Sequence, residues 1–141
     1  KNYVFIDGAR ECIRILKENE LKLFIISAGI DLLAQNAGRE LGIYDIWANG
    51  FQYNEKGYLT GRDVWRVDLL RKDIIINKII EKNHFNKEEI ISIGDSKYDI
   101  PMFNSSGFSI AFDPKDEEVK KEADITICER NLLRILDYIE L

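Results

Sequence analysis

Two carboxylates, Asp95 and Asp99, follow a short apolar run within one helical turn of each other. The run, residues 90–93, ends abruptly at Gly94 and is typical of a buried strand. Carboxylates at such a strand end are suitable ligands for Mg²⁺, which takes few protein carboxylates and keeps several waters. Helix capping is the alternative, because Asp95 or Ser96 could be an N-cap and Asp99 could oppose the helix dipole. The spacing alone leaves both interpretations open.

Two further positions have side chains suited to phosphate. Ser27, Ala28 and Gly29 end an apolar run and lead into a predicted helix, where backbone N–H groups favour phosphate and the serine hydroxyl can add a donor. An ordinary strand-to-helix turn has the same composition. Lys72 opens another predicted helix, where a cation opposes the macrodipole. Binding a phosphate oxygen would give Lys72 a role, as in other phosphoryl-transfer sites; a solvated lysine after Arg71 is the alternative.

The remaining reactive side chains fit structural roles better. Asp7 follows an apolar run and precedes Gly8, so it is either a nucleophile or the cap of a turn. His84, the single histidine, lies in a polar stretch and is predicted at the surface. Cys12 and Cys128 share no metal-type spacing and are predicted to be buried, reduced thiols, which indicates a cytoplasmic protein.

Strand and helix signals alternate along most of the chain, which predicts a parallel sheet with helices on both faces. Strands are predicted at 21–27, 90–94, 108–112 and 125–128, and helices at 9–19, 30–41, 72–82, 98–104, 115–122 and 131–139. Residues 48–61 are different, because two β-type pieces flank a glycine-containing turn and indicate a hairpin. Ligands of such sheets bind beyond the carboxyl ends of the strands. Both polar strand ends, at Ser27 and Asp95, are therefore candidate site positions.

Composition excludes several classes of function. The 141 residues are 45% apolar and 32% charged, as in one soluble domain. A net charge of −5 and the lack of a basic stripe argue against nucleic acid as a partner. No apolar run approaches the roughly 20 residues that span a bilayer, so no membrane partner is expected.

Taken in order, these residues resemble the haloacid dehalogenase superfamily, and within it the phosphoserine-phosphatase-like branch. "FIISAGID" looks like the second motif, a strand that ends in Ser27. Lys72, in "RKDIIINKI", looks like the third-motif lysine, and "IGDSKYDIPMF" looks like the fourth motif. The resemblance covers essentially the whole chain and implies a three-layer αβα core of the Rossmannoid, haloacid-dehalogenase-like type, with a hairpin insertion at about 48–61.

The resemblance also implies a mechanism. A small phosphorylated metabolite is attacked by an aspartate, and water then hydrolyses the aspartyl-phosphate. Ser27, the Ala28 backbone and Lys72 would bind and neutralise the phosphoryl group together with Mg²⁺. Asp95 would be the direct metal ligand. Asp99 would not bind the metal itself but would orient the waters and groups around the metal.

The chain departs from the family pattern at its amino-terminal end. The first motif, a strand followed by D-x-D-x-T, is absent; in the nearest look-alike Phe5 takes the nucleophile position. Asp7 would replace the proline of a Pro-Gly pair before the second motif, so we reject it as the nucleophile. Tyr98 stands where an asparagine is usual, which bears on substrate-side hydrogen bonding, and Ala28 replaces a common glycine.

In this fold the first-motif strand lies between the strands ending at Ser27 and Asp95, and a helical cap follows it. Without that strand, the two neighbours would expose unpaired edges or pair with each other. We therefore expect residues 1–141 to be the carboxyl-terminal part of a catalytic core and inactive alone. A partner chain that supplies the strand is the less favoured version, whereas the exposed central edges make a homo-oligomer of the isolated chain a candidate assembly. A non-catalytic binding or interaction module is the alternative function, and a receiver-like phospho-accepting switch fits poorly.

Overall fold

The computed structural model describes residues 3–141 and confirms the alternation of strands and helices. The helices are α1 (Ala9–Glu18), α2 (Asp31–Leu41), α3 (Asp73–Asn83), α4 (Ile100–Asn104) and α5 (Glu117–Glu122). The strands are β1 (Phe24–Ile30), β2 (Asp45–Tyr53), β3 (Leu59–Val64), β4 (Ile91–Gly94), β5 (Phe108–Phe112) and β6 (Ile125–Ile127). Short 3₁₀ segments form at Lys87–Glu89, Lys97–Asp99 and Leu132–Tyr138.

The strands form two sheets of three strands each, in the orders β1-β2-β3 and β4-β5-β6. β1 and β2 are parallel, β2 and β3 form the predicted antiparallel hairpin, and β4, β5 and β6 are parallel throughout. Within residues 3–141, β1 and β4 each lie at the end of their sheet and do not pair with each other. Of the two outcomes expected for these strands, the structure therefore has the unpaired edges.

An apolar cavity of about 230 Å³, which we call the inter-sheet slot, lies between the two unpaired edges. Its walls are Phe24 and Ile26 of β1, Ile91 and Ile93 of β4, and side chains of both helical layers. The helical side chains include Ile13, Leu16, Ile76, Ile79, Met102 and Ile135. Because all four sides are formed by elements of a three-layer fold, the slot has the surroundings of a central strand position.

Helices cover both faces of the β4-β5-β6 sheet. On one face, α1 and the segment Leu132–Tyr138 bury a cluster formed by Cys12, Leu16, Ile110, Phe112, Ile127 and Ile135. On the other face, α3, α4 and α5 bury Ile76, Met102, Phe103, Ala111 and Val119. The core is thus divided by the sheet into two layers, which confirms the αβα fold class. Burial raises the pKa of the Cys12 thiol to about 11, so this thiol stays protonated at neutral pH.

Two predicted features are wrong in detail. Cys128 is exposed, because it follows the last residue of β6, Ile127, whose side chain points into the core. The predicted helix over residues 131–139 is a 3₁₀ segment, in which residues three apart lie above one another. Ile135 is its most buried residue, at 1% exposure.

The hairpin is longer than the predicted range of 48–61, because β2 has two neighbours. Its first half, from Asp45 to Asn49, pairs with β1, and its second half pairs with β3. At the tip, the Asn54 carboxamide oxygen accepts the N–H groups of Lys56 at 2.9 Å and Tyr58 at 3.0 Å. Gly57 adopts a φ of 81° there, which a residue with a Cβ atom rarely adopts.

Candidate active site

The turn after β4 is organised around the Asp99 carboxylate. Oδ2 of Asp99 accepts the backbone N–H groups of Asp95 at 3.0 Å and Ser96 at 3.2 Å. Ser96 is the N-cap of the 3₁₀ segment Lys97–Asp99, and the two residues form a capping box. The capping interpretation of this motif is therefore correct for Ser96 and Asp99, and it accounts for one of the two carboxylate oxygens.

The other Asp99 oxygen binds Lys72. The Lys72 ammonium nitrogen lies 2.6 Å from Oδ1 of Asp99, and the side chains are only 10% and 6% exposed. Lys72 occupies the N-cap position of α3, so the ion pair joins the start of α3 to the turn after β4. The alternative of a solvated Lys72 is wrong. Since both Asp99 oxygens have partners, this carboxylate fixes the turn and the ammonium in place.

Asp95, by contrast, points outward. Its carboxylate is 44% exposed and contacts the ammonium of Lys115, while the Lys115 backbone N–H donates to the Asp95 carbonyl at 2.7 Å. The hydrogen bond with Asp95 raises the pKa of Lys115. This lysine is a neighbour that sequence reasoning missed, because it lies in a charged run that is typical of a solvated helix.

The end of β1 carries a β-bulge at the residues predicted to bind phosphate. Ser27 pairs with Ala48 and Ile30 pairs with Asn49, so Ala28 and Gly29 have no counterparts on β2. The Ser27 hydroxyl accepts the N–H of Gly29 at 3.1 Å, which closes a tight turn immediately before α2. Bulges of this kind re-aim backbone groups and are frequent next to active sites.

Packing on α3 brings the polar ends of the two sheets to the same side of the molecule. Ala28 and Ile26 of β1 pack on a cluster with Ile75 and Ile79 of α3. α3 begins at Lys72, which reaches the turn after β4 through Asp99. The structure thus joins Lys72 and Asp99 directly and packs the strand end that carries the Ser27 turn against the same helix, α3. The Asp95 carboxylate contacts Lys115 instead.

The donor set for a metal is incomplete within the described residues. Among residues 3–141, no group of three or more His, Cys, Asp and Glu side chains is placed to hold a metal ion. The exposed Asp95 carboxylate offers one ligand, and the oxygens of Asp99 already have partners. A metal at this edge would need further ligands from outside these residues.

Asp7 lies away from this edge, at the start of α1. Its backbone forms an isolated parallel bridge with Asn131, and its carbonyl accepts the N–H of Leu132 at 2.8 Å. His84 is exposed and occupies the C-cap of α3, as its polar surroundings predict. Neither residue contacts the candidate site, in agreement with the rejection of Asp7 as a nucleophile.

A large open cavity of about 790 Å³ is lined in part by residues that neighbour Lys72 and Asp99 in the chain. Trp65, Arg71 and Tyr98 contribute to its lining, and the last two are the chain neighbours of Lys72 and Asp99. Trp65 is 77% exposed, which shows that this aromatic side chain is not part of the core. The cavity offers aromatic and cationic groups beside the candidate phosphate position.

Fold and site together define an α/β protein with a buried lysine–aspartate pair at the carboxyl ends of its strands. Residues 69–132 match the family model of the haloacid dehalogenase-like hydrolases. The phosphoserine phosphatase of Methanocaldococcus jannaschii is 34% identical over 95% of this chain and 63% of its own length. That of Archaeoglobus fulgidus is 32% identical over 96% of this chain and 39% of its own length.

Solved structures agree with these similarities. A phosphoserine phosphatase in apo form superposes with a TM-score of 0.85 and 32% identity, over 96% of this chain and 67% of that one. The chain belongs to the haloacid dehalogenase superfamily, in its phosphoserine-phosphatase-like branch. It spans 39% to 63% of the length of these two curated relatives. Among residues 3–141, no helix has the length and apolar character needed to cross a membrane.

Proposed function

We propose that this chain supplies the phosphate-binding and charge-neutralising part of a Mg²⁺-dependent phosphomonoester hydrolase. The observation that carries the proposal is the buried Lys72–Asp99 pair, 2.6 Å apart, at the edge where sheets of this class bind ligands. A buried ammonium is costly unless it is paired, and Asp99 supplies the opposite charge that keeps Lys72 charged at this edge. A fixed positive charge next to a phosphoryl group would stabilise the charge that develops during transfer.

The remaining groups of this edge have complementary roles in the proposal. Lys72, held by Asp99, would bind a phosphoryl oxygen, and the Ser27 hydroxyl and the backbone of Ala28 would bind others. Asp95 would supply one ligand to Mg²⁺, which when bound would neutralise charge on the phosphoryl oxygens. Asp99 would act as a positioning residue, because its oxygens already hold Lys72 and the backbone of the turn.

The reaction in the proposal proceeds through an aspartyl-phosphate. An aspartate oxygen forms a bond to phosphorus, the ester P–O bond breaks, and the alcohol leaves after taking a proton; water then cleaves the acyl phosphate. One similar structure, 33% identical, is a phospho-aspartyl intermediate analogue of phosphoserine phosphatase. No described residue is assigned as this nucleophile. The proposal places it on a strand in the inter-sheet slot, from a longer form of this polypeptide.

The substrate class in the proposal is a small phosphorylated metabolite. The relatives are phosphoserine phosphatases, but Tyr98 and Trp65 line the cavity beside the candidate phosphate position. Tyr98 is 36% exposed there and offers a phenol where the family pattern has an asparagine amide. We therefore propose a phosphomonoester as the substrate and leave the alcohol unnamed.

The test is hydrolysis of p-nitrophenyl phosphate, with Mg²⁺, by a longer protein that adds a D-x-D-containing strand and cap to these residues. We expect activity that Lys72→Met and Asp95→Asn each lower by about 100-fold. Lys72→Met removes the positive charge that would face the transferring group, and Asp95→Asn removes the carboxylate that would hold Mg²⁺ there. Lys82→Met is the matched control, because Lys82 is exposed in the last turn of the same helix and does not line the cavity of Trp65 and Tyr98. An inactive longer protein that still folds would overturn the proposal in favour of a non-catalytic binding module.

A further inference from the structure

The side chain of Asn49 makes hydrogen bonds with both of its polar atoms, and all of them go to backbone groups. Nδ2 donates to the Ala28 carbonyl at 3.0 Å and to the Val67 carbonyl at 2.8 Å. Oδ1 accepts the N–H of Arg66 at 2.7 Å and that of Val67 at 2.8 Å. Two donor and two acceptor sites are thus occupied, which is the full capacity of a carboxamide.

On one side, Asn49 compensates for the bulge in β1. Because Ala28 and Gly29 have no counterparts on β2, the ladder bond that would hold the Ala28 carbonyl is missing. The Asn49 amide takes its place and fixes the peptide that follows Ala28. That peptide carries the N–H of Gly29, which the Ser27 hydroxyl accepts, so the carboxamide sets the orientation of the candidate phosphate turn.

On the other side, Asn49 holds the segment that leads to Lys72. It binds Arg66 and Val67, and the Val67 side chain, only 1% exposed, packs against Ile75 and Ile79 of α3. α3 begins at Lys72. The same segment is fastened a second time, since the Arg66 guanidinium donates to the Ala48 carbonyl at 2.9 Å.

We propose that Asn49 is a positioning residue that fixes the phosphate-binding turn at Ser27 relative to Lys72. The inference rests on the proposed function, because it assumes that both elements bind the same phosphoryl group. A single carboxamide joins them through a bulge carbonyl and through the segment before α3. The donor half of the carboxamide, Nδ2, holds the carbonyls of Ala28 and Val67. The acceptor half, Oδ1, holds the N–H groups of Arg66 and Val67. Substitution can therefore separate the two halves.

The experiment follows inorganic phosphate binding to the 141-residue chain by amide chemical shifts of residues 27–29, with hydrogen exchange of all amides. Asn49→Asp keeps the oxygen that accepts the N–H groups of Arg66 and Val67, but it replaces the donor Nδ2 by an oxygen that faces the carbonyls of Ala28 and Val67. Asn49→Ala removes both the donor and the acceptor. We expect both variants to bind phosphate about 10-fold more weakly, with faster exchange at Arg66 and Val67 in Asn49→Ala but not in Asn49→Asp. Asn54→Ala is the matched control, because Asn54 caps the remote hairpin turn and should change neither readout.

The outcomes separate this inference from the proposed function. No phosphate-dependent shift in the unsubstituted chain would overturn the proposed function and the inference with it. Phosphate binding by the unsubstituted chain that both Asn49 variants retain within 2-fold would overturn the inference alone. If Asn49→Ala does not fold, the phosphate affinity of Asn49→Asp, which keeps the size and both accepted bonds, decides.

Discussion

Among the ion pairs of residues 3–141, the Lys72–Asp99 pair is the most buried, so its energetics depend strongly on having both partners. Each side chain is at most 10% exposed, so a lone charge at either position would be desolvated without compensation. We expect Lys72→Met and Asp99→Asn each to lower the free energy of unfolding by about 3 kcal/mol. The double variant should lose clearly less than the sum of the two, because no unpaired charge then remains.

Urea unfolding of the unsubstituted chain, the two single variants and the double variant measures the coupling between Lys72 and Asp99 directly. Lys115→Met serves as the control, since the contact of Lys115 with Asp95 is exposed and should change the free energy of unfolding by less than about 1 kcal/mol. Additive losses from Lys72→Met and Asp99→Asn would mean that the two charges are not energetically coupled.

Individual residues also show how far sequence reasoning reaches. Lys72, Asp95 and Asp99 stand out because charged residues at the ends of apolar runs are unusual, and a family resemblance orders them. Asn49 has a weaker signal, an asparagine inside a strand, where this residue type is depleted. Lys115 has none, because its contact with Asp95 depends on how the loop after β5 folds over the turn after β4. Contacts that cross between loops are not encoded in periodicity.

Among the secondary-structure elements, the end of β4 lies very close to the turn that follows it. A Cβ atom on Gly94 would lie 2.4 Å from Cβ of Asp99 and 2.6 Å from its Cγ. The strand and the capped turn can approach this closely only because residue 94 is glycine. Gly94→Ala should therefore displace Asp99 and lower the free energy of unfolding by about 2 kcal/mol, as overpacking does.

Thermal or urea unfolding measures this effect, with Gly29→Ala as the matched control. Gly29 is also a glycine near the end of a strand, but a Cβ atom added there would meet only the tip of the Ser27 side chain, at 3.2 Å. The control should cost clearly less than Gly94→Ala. Equal losses would show that the approach of Asp99 to β4 is not the cause.

The elements themselves were predictable where periodicity is strong. α1 and α3 form at the predicted positions because apolar residues at helical spacing, such as Ile75, Ile76 and Ile79, must face the core. The segment Leu132–Tyr138 has a similar pattern but is 3₁₀. The backbone hydrogen bonds of the two helix types differ in span by one residue, and the apolar pattern of so short a stretch does not distinguish them. The bulge in β1 was unpredictable, because it exists only relative to β2.

Considered as a whole, the molecule has two half-sheets with a gap between them. The three-layer fold class followed from the alternation of strands and helices, but alternation cannot show which strands pair. The resemblance added that a strand belongs between β1 and β4, and the unpaired edges and the inter-sheet slot agree with it. Unpaired edges with apolar side chains are templates for pairing with another chain.

The open edges therefore predict how the 141-residue chain behaves in solution. We expect it to self-associate with rising concentration, because pairing of β1 or β4 with another copy would satisfy backbone groups that lack strand partners here. Ile91→Lys should shift the chain toward the monomer, since Ile91 lines the slot on β4 and is 36% exposed, and an edge lysine opposes strand pairing.

Light scattering coupled to size-exclusion chromatography measures the mass against the 16.4 kDa of a monomer. Leu33→Lys is the control, because Leu33 is 57% exposed on α2 and does not line the slot, so it should leave association unchanged. Addition of an amino-terminal strand to the same polypeptide should abolish association as Ile91→Lys does, because an internal strand occupies both edges at once. A chain that stays monomeric at all concentrations would mean that the slot closes on itself in solution, with β1 and β4 drawn together and the backbone groups of their edges satisfied within one molecule.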